Sequence, residues 1–346
     1  MKAILNKFNF KGSIIAIVED TIGLINATYV VSSKTEKYIL QRINDSIFNN
    51  PKELMENINL VTNYLKNIGH KTLEIIKSKE AQLYVMHQGK YWRAFRYIES
   101  KTFQKAGNIR IVSESANELA RFHQALNDFP IDDLHNTIPD FHNTVIVFKK
   151  FQDVLLNAPK YLSEQCVEQI KYILSKEKDC QIIQELLVHN KIPLRVCHND
   201  PKISNFLFDV ELNAVCLIDL DTLMPGTLLT DIADAIRTIC VSDSEDESDL
   251  NKLSFKYDYF EKFLKSYLRV NKINLNCYEI SHIVKSIELI FLEQGIRFLT
   301  DYLNGNCYFK VSYETQNLVR AKNQLYLSEE VARNNNELNK IVKQYR

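Results

Sequence analysis

The chain has 346 residues, 45% hydrophobic and 25% charged, enough apolar material for a large core spread over two lobes. Lys+Arg and Asp+Glu both number 43, so no basic surplus points to nucleic acid or an anionic membrane as a partner. Seven scattered cysteines without a C-x-x-C pair argue against a disulfide framework or structural zinc, and the polar start and short apolar runs fit a cytoplasmic protein with no membrane span.

The apolar run Ile14-Ile15-Ala16-Ile17-Val18 predicts a first strand. Residues 28–32 and 37–43 flank the polar turn Ser33-Lys34-Thr35-Glu36, which predicts a hairpin. A helix follows, with Pro51 in its first turn and Leu54, Ile58, Val61 and Leu65 on one face. A second hairpin joins 83–86 to 91–98 through His87-Gln88-Gly89-Lys90. Beyond about residue 100 the pattern turns helical. Ser115-Ala116-Asn117-Glu118 reads as a capping box opening a helix through Leu126. Strands at 206–208 and 214–218 surround the turn Asp209–Asn213. The acidic stretch 243–249 reads as a solvated loop, Phe255, Tyr259, Phe263 and Tyr267 as one helix face, and the polar tail after Asn334 as loosely held. The expected class is α+β: a small β-rich lobe over 1–98 and a larger helical lobe over 99–346.

Chemistry concentrates in His198-Asn199-Asp200-Pro201-Lys202-Ile203-Ser204-Asn205, an H-x-D-x-K-x-x-N pattern, followed by Leu217-Ile218-Asp219-Leu220-Asp221. Phosphoryl transfer from a metal–nucleotide needs these groups at such spacing. Asp200 is the expected general base for the attacking hydroxyl. Lys202 would offset charge on the moving phosphoryl group. Asn205 and Asp219 offer hard oxygen ligands to Mg²⁺. Asp221 either joins that metal shell or binds a hydroxyl on the substrate side. Asp231 reads as a buried acid holding the loop's backbone amides, and His198 as a structural hydrogen-bonding residue.

On the nucleotide side there is no P-loop and no G-x-G-x-x-G motif. The candidate phosphate loop is 23–29, which includes Asn26 and Thr28. Arg42 is the expected cation for the nucleotide phosphates, oriented by Glu56, with Glu53 as the competing acid. Adenine would dock at Tyr97 and Ile98. ATP and Mg²⁺ are therefore the expected co-substrate and cofactor. The missing D-F-G and A-P-E signatures argue against a protein acceptor.

The chain resembles the aminoglycoside phosphotransferase and choline kinase superfamily, and within it the N-acetylhexosamine 1-kinases. Beyond the catalytic loop, the likeness runs through 23–29, Ile39-Leu40-Gln41-Arg42-Ile43-Asn44, Trp92-Arg93, 134–144, Met224-Pro225-Gly226, 297–305 and Tyr308-Phe309-Lys310. It implies a two-lobed protein-kinase-like fold, a monomer or homodimer, and phosphorylation of the anomeric hydroxyl of N-acetylglucosamine or N-acetylgalactosamine. By position it makes Arg297 and Tyr308 sugar contacts and lets Asn26 reach the substrate or the phosphates. The chain departs from the pattern at Pro201, Ser204 and Ala233, none of which removes a catalytic group. Same-fold kinases for choline, an aminoglycoside or another small alcohol are the alternatives, and a pseudokinase is disfavoured because Asp200, Asn205 and Asp219 are all present.

Overall fold

The structure is a computed structural model that describes residues 1–20, 26–271 and 275–345. A short helix α1 (Lys2–Leu5) precedes the strands β1 (Ile14–Asp20), β2 (Ala27–Ser33) and β3 (Lys37–Arg42). Helix α2 (Pro51–Asn67) follows, with Asn50 as its cap, and then β4 (Val85–His87) and β5 (Lys90–Arg96). These strands form one antiparallel sheet in the order β1-β2-β3-β5-β4. The second hairpin turns through Gln88 (φ 51°) and Gly89 (φ 71°), the positive angles that a two-residue hairpin turn of matching twist demands.

The register of the sheet decides which side chains reach the rest of the molecule. Thr28 pairs with Gln41, and Gln41 with Arg93, so these three form a row on one face. Tyr38, Leu40 and Ala94 lie on the other face and form a small core with Ile4, Leu5, Phe8 and Val31. The Arg93 face looks toward a second, much larger core. Ile43, Phe95 and the buried stripe of α2 (Leu54, Ile58, Val61, Leu65) belong to that core, which continues into the helical region.

The helices there are α3 (Ile109–Ala125), α4 (Thr144–Asn157), α5 (Lys160–Ser163), α6 (Val167–Ser175) and α7 (Ile182–Val188), then α8 (Leu228–Ile239), α9 (Tyr257–Asn271), α10 (Cys277–Leu303), α11 (Gln316–Arg333) and α12 (Asn335–Gln344). Helix α10 is buried around most of its circumference and forms the axis of this region. The expected capping box at Ser115 is not a helix start. α3 begins at Ile109, where Asn108 accepts the amides of Arg110 and Ile111, and Ser115 is a buried mid-helix residue bonded to the Ile111 carbonyl. The tail is also more ordered than its polarity suggests: α12 buries Leu338 and Val342 on one stripe, and Tyr345 donates to Glu261. No helix among the described residues is long and apolar enough to cross a membrane.

Candidate active site

Two short ladders bring the motif together. Strand β6 (Arg195–Cys197) pairs with β9 (Met224–Gly226), and β7 (Phe206–Phe208) pairs with β8 (Ala214–Leu217). The loop from β6 to β7 carries residues 198–205, and the link from β8 to β9 carries Asp219 and Asp221. Antiparallel pairing therefore sets the two loops side by side. Asp231, fully buried in the first turn of α8, accepts the amides of His198 and Asn199, both at 2.7 Å, and a bond from His123 Nε2 at 2.9 Å. Burial alone would raise its pKa, but the bond from His123 outweighs it and holds the carboxyl below its ordinary value. His198 Nε2 donates to the Ile218 carbonyl (2.8 Å), which leaves Nδ1 to accept the Asp200 amide (3.3 Å). Asn199 takes a left-handed conformation (φ 62°) and donates to the carbonyls of Thr222 (2.9 Å) and Met224 (3.2 Å). Both the acid at 231 and the structural histidine at 198 act on the loop as their sequence positions predict.

Asp200 Oδ2 accepts Lys202 Nζ at 2.7 Å and Asn205 Nδ2 at 3.3 Å. The Asn205 amide nitrogen also donates to the Asp200 carbonyl (2.8 Å), and among the described residues its side-chain oxygen accepts no hydrogen bond. Lys202 loses solvation by burial, yet the charges of Asp200 and Asp219 outweigh that loss and raise its pKa. Asp219 sits at φ 62° and has no hydrogen-bond partner among the described residues. Burial first, then the neighbouring charge of Asp221, pushes its carboxyl up to about 6, against the pull of Lys202. Asp200, Lys202, Asn205 and Asp219 thus share one small electrostatic environment.

Asp221 departs from expectation. It is 4% exposed, and Arg93 grips both of its oxygens: Nη1 bonds Oδ1, and Nη2 bonds Oδ2 at 2.9 Å. Asn26 Nδ2 adds a bond to Oδ2 at 2.7 Å, while Asn26 Oδ1 accepts the Asn44 amide. Asp221 is therefore spent on a buried bidentate ion pair rather than turned to a metal or a sugar, and both ends of the Asn26 amide are engaged within the protein. Thr28 accepts from Gln41, whose own oxygen accepts Arg93 Nε at 2.9 Å. The expected Arg42–Glu56 pair does not form. Arg42 lies one residue past Gln41, so it falls on the opposite sheet face and is exposed, with no ion pair among the described residues. Glu56 instead meets His135 Nε2 (3.0 Å) and Lys52 (3.9 Å). The cation that enters the site from the sheet is Arg93, whose partner lies 128 residues away and is invisible to local pattern. Tyr97 and Ile98 lie just past β5 in the segment joining the sheet to α3. There Lys101 exchanges two backbone bonds with Phe208, tying that segment to the strand that follows Asn205. Residues 23–25 of the expected phosphate loop lie outside the described residues.

A family model for the APH phosphotransferase enzyme family matches residues 17–260. The chain belongs to that family. It is a phosphotransferase. Solved structures share the kinase-like fold. An aminoglycoside phosphotransferase from Alicyclobacillus acidocaldarius is 14% identical with a TM-score of 0.68, over 99% of this chain and 96% of that one. An ethanolamine kinase from Plasmodium vivax is 17% identical with a TM-score of 0.59, over 89% and 82%. A choline kinase from Cryptosporidium parvum is 16% identical with a TM-score of 0.57, over 97% and 95%.

A second polar network braces the phosphotransferase loop from the side of α10. His142 bonds the Asn199 carbonyl through Nε2 and Glu293 through Nδ1, both at 2.8 Å, so each ring nitrogen faces an acceptor. Burial opposes the imidazolium charge, but Glu293 prevails and raises the His142 pKa. Glu293 also takes Thr144 Oγ1 (2.8 Å) and Arg297 (3.0 Å). Arg297 lies over the Phe141 ring. Tyr308 is half exposed, and its amide is held by Asp301 (2.8 Å), which also takes the Phe309 amide. The acidic stretch is a loop, as read, but it is not simply solvated: Glu245 bonds buried Arg237, and Asp246 bonds buried Arg320. Glu293 carries no local signature, and the 134–144 block that contains His142 does not show its role, since each gains meaning from a partner far along the chain.

Proposed function

We propose that this phosphotransferase is an ATP-dependent kinase that phosphorylates the anomeric hydroxyl of an N-acetylhexosamine, giving the sugar 1-phosphate, with lobes at 1–98 and 99–346. The observation that carries this reading is charge balance around Asp200. Two buried acids around the loop are paired with cations: Asp234 through one oxygen with Arg237, and Glu293 with His142 and Arg297. A polycationic aminoglycoside would want free carboxylates. Choline, which carries no N–H, would want an aromatic cage. A neutral polyhydroxy acceptor needs neither. Asp200 accepts the proton of the attacking hydroxyl, and Lys202, already drawn to Asp200, offsets charge on the phosphoryl group. Arg297 and Tyr308 contact the sugar, and adenine docks against the Tyr97–Ile98 segment.

The residues present suit a magnesium ion. Among the described residues Asp219 is an unpartnered carboxylate crowded by like charge and Asn205 keeps a free amide oxygen, so together they offer two hard ligands. Bound there, Mg²⁺ would supply charge neutralisation for the nucleotide phosphates. A coupled assay for nucleoside diphosphate release tests the acceptor across N-acetylglucosamine, N-acetylgalactosamine, choline and an aminoglycoside. Turnover of an N-acetylhexosamine, abolished by Asp200→Asn, is expected. Turnover of choline or the aminoglycoside alone would overturn the sugar assignment while leaving the phosphotransferase intact.

A further inference from the structure

Among the described residues, two buried side-chain atoms have no hydrogen-bond partner: Asp234 Oδ2 and Arg297 Nε. Native structures rarely leave such atoms bare, because desolvation without a partner is costly. Each side chain also has a polar atom already engaged. Asp234 Oδ1 accepts Arg237 Nε at 2.7 Å, and Arg297 Nη2 pairs with Glu293 at 3.0 Å. Each residue is also fixed relative to the catalytic loop. Asp234 stands three residues beyond Asp231 on α8, about 5 Å along the axis, and Asp231 holds the two amides just before Asp200. Arg297 reaches the same loop through Glu293 and His142, which bonds the Asn199 carbonyl.

We propose that Asp234 binds the acceptor: its Oδ2 takes a hydrogen bond from a hydroxyl or amide N–H of the sugar lying beside Asp200, while Arg297 Nε donates to an oxygen of that sugar. One bare acceptor and one bare donor complement a neutral molecule that carries both kinds of group, such as a vicinal diol or an acetamido sugar. A quaternary ammonium group, with no N–H and no oxygen, would satisfy neither atom. Burial lifts the Asp234 carboxyl above its ordinary range, against the pull of Arg237 and with the help of the Asp200 charge, as expected for an oxygen that lacks a donor. This inference rests on the sugar-kinase reading and names the residue that would set its acceptor preference.

Asp234→Asn is the sharp test, because the amide oxygen can keep Arg237 while the amide nitrogen cannot accept. Sugar KM should rise about 10- to 100-fold, the range for losing a hydrogen bond to a charged group, with KM for ATP within about twofold. A panel of mono-deoxy sugars supplies the readout that a merely structural role would not move. One deoxy analogue should lose affinity in the wild type yet match its parent sugar in the variant. An unchanged sugar KM, an equal rise in both KM values, or deoxy penalties that persist in full in the variant would each overturn the role of Asp234. Wild-type turnover of the parent sugar reports separately on the underlying reading, so the two failures are distinguishable.

Discussion

At the scale of single residues, Arg93 carries the clearest energetic consequence. It is 1% exposed, and its guanidinium bonds Asp221 through both Nη atoms and Gln41 through Nε. Removing one member of such a pair strands a charge in low dielectric, which typically costs about 3–5 kcal/mol. Arg93→Met should therefore lower the urea-unfolding free energy by about that amount. Adding Asp221→Asn to that variant should recover part of the loss, because no buried charge then remains. Strictly additive losses would show that the two residues are energetically independent. By local pattern Arg93 is one charged position in a strand of mixed character, and even the Trp92-Arg93 block of the family likeness names no partner for it. Its partner is specified by the sheet register, which places Gln41 and Arg93 on one face and Arg42 on the other.

At the scale of elements, the β6–β9 ladder fixes the geometry of the 198–205 loop, and Gly226 is its tightest point. A Cβ at Gly226 would lie 2.4 Å from Asn199 Oδ1 and 3.0 Å from Cys197 Cβ. Asn199 cannot retreat without giving up its bonds to Thr222 and Met224 and disturbing the amides that Asp231 holds. Gly226→Ala should thus lower kcat at least about tenfold, since small misplacements of reacting groups are expensive. It should leave far-ultraviolet circular dichroism close to wild type, and steady-state kinetics near wild type would show that the loop absorbs the methyl freely. The hairpins, the Pro51 helix and the motif between two short ladders were legible because each depends on local pattern, turn chemistry and spacing. The start of α3 is not legible, because Ser115-Ala116-Asn117-Glu118 mimics a cap inside a helix that Asn108 already caps. The order of α12 was hidden because its apolar stripe is only a few residues wide.

At the scale of the whole molecule, the sheet and the helical region are bolted together around the loop rather than merely tethered. Asn57 on α2 donates to the carbonyls of His135 (2.8 Å) and Leu223 (3.0 Å), and Asp221 is held by Arg93 and Asn26 from the sheet side. On the opposite side, Glu293 of α10 gathers His142, Thr144 and Arg297. That last network should make stability depend on pH. Burial opposes the Glu293 charge, but His142 and Arg297 prevail and lower its pKa from 4.5 to about 2. Its ionic contribution is therefore fully present above about pH 4.5 and is lost as pH falls toward 2. His142 has the opposite sign. Its folded-state pKa is raised from 6.5, so its contribution is complete below that value and fades as pH climbs through the raised one. The difference in unfolding free energy between wild type and Glu293→Gln should be largest near pH 5–6, on the order of 3 kcal/mol from a shift of this size, and should shrink in both directions. Urea titrations at a series of pH values measure it. A difference that stays flat from pH 3 to 8 would mean that Glu293 acts through packing and neutral hydrogen bonds, and that the imidazolium pairing behind the Asn199 carbonyl does not stabilise the catalytic loop.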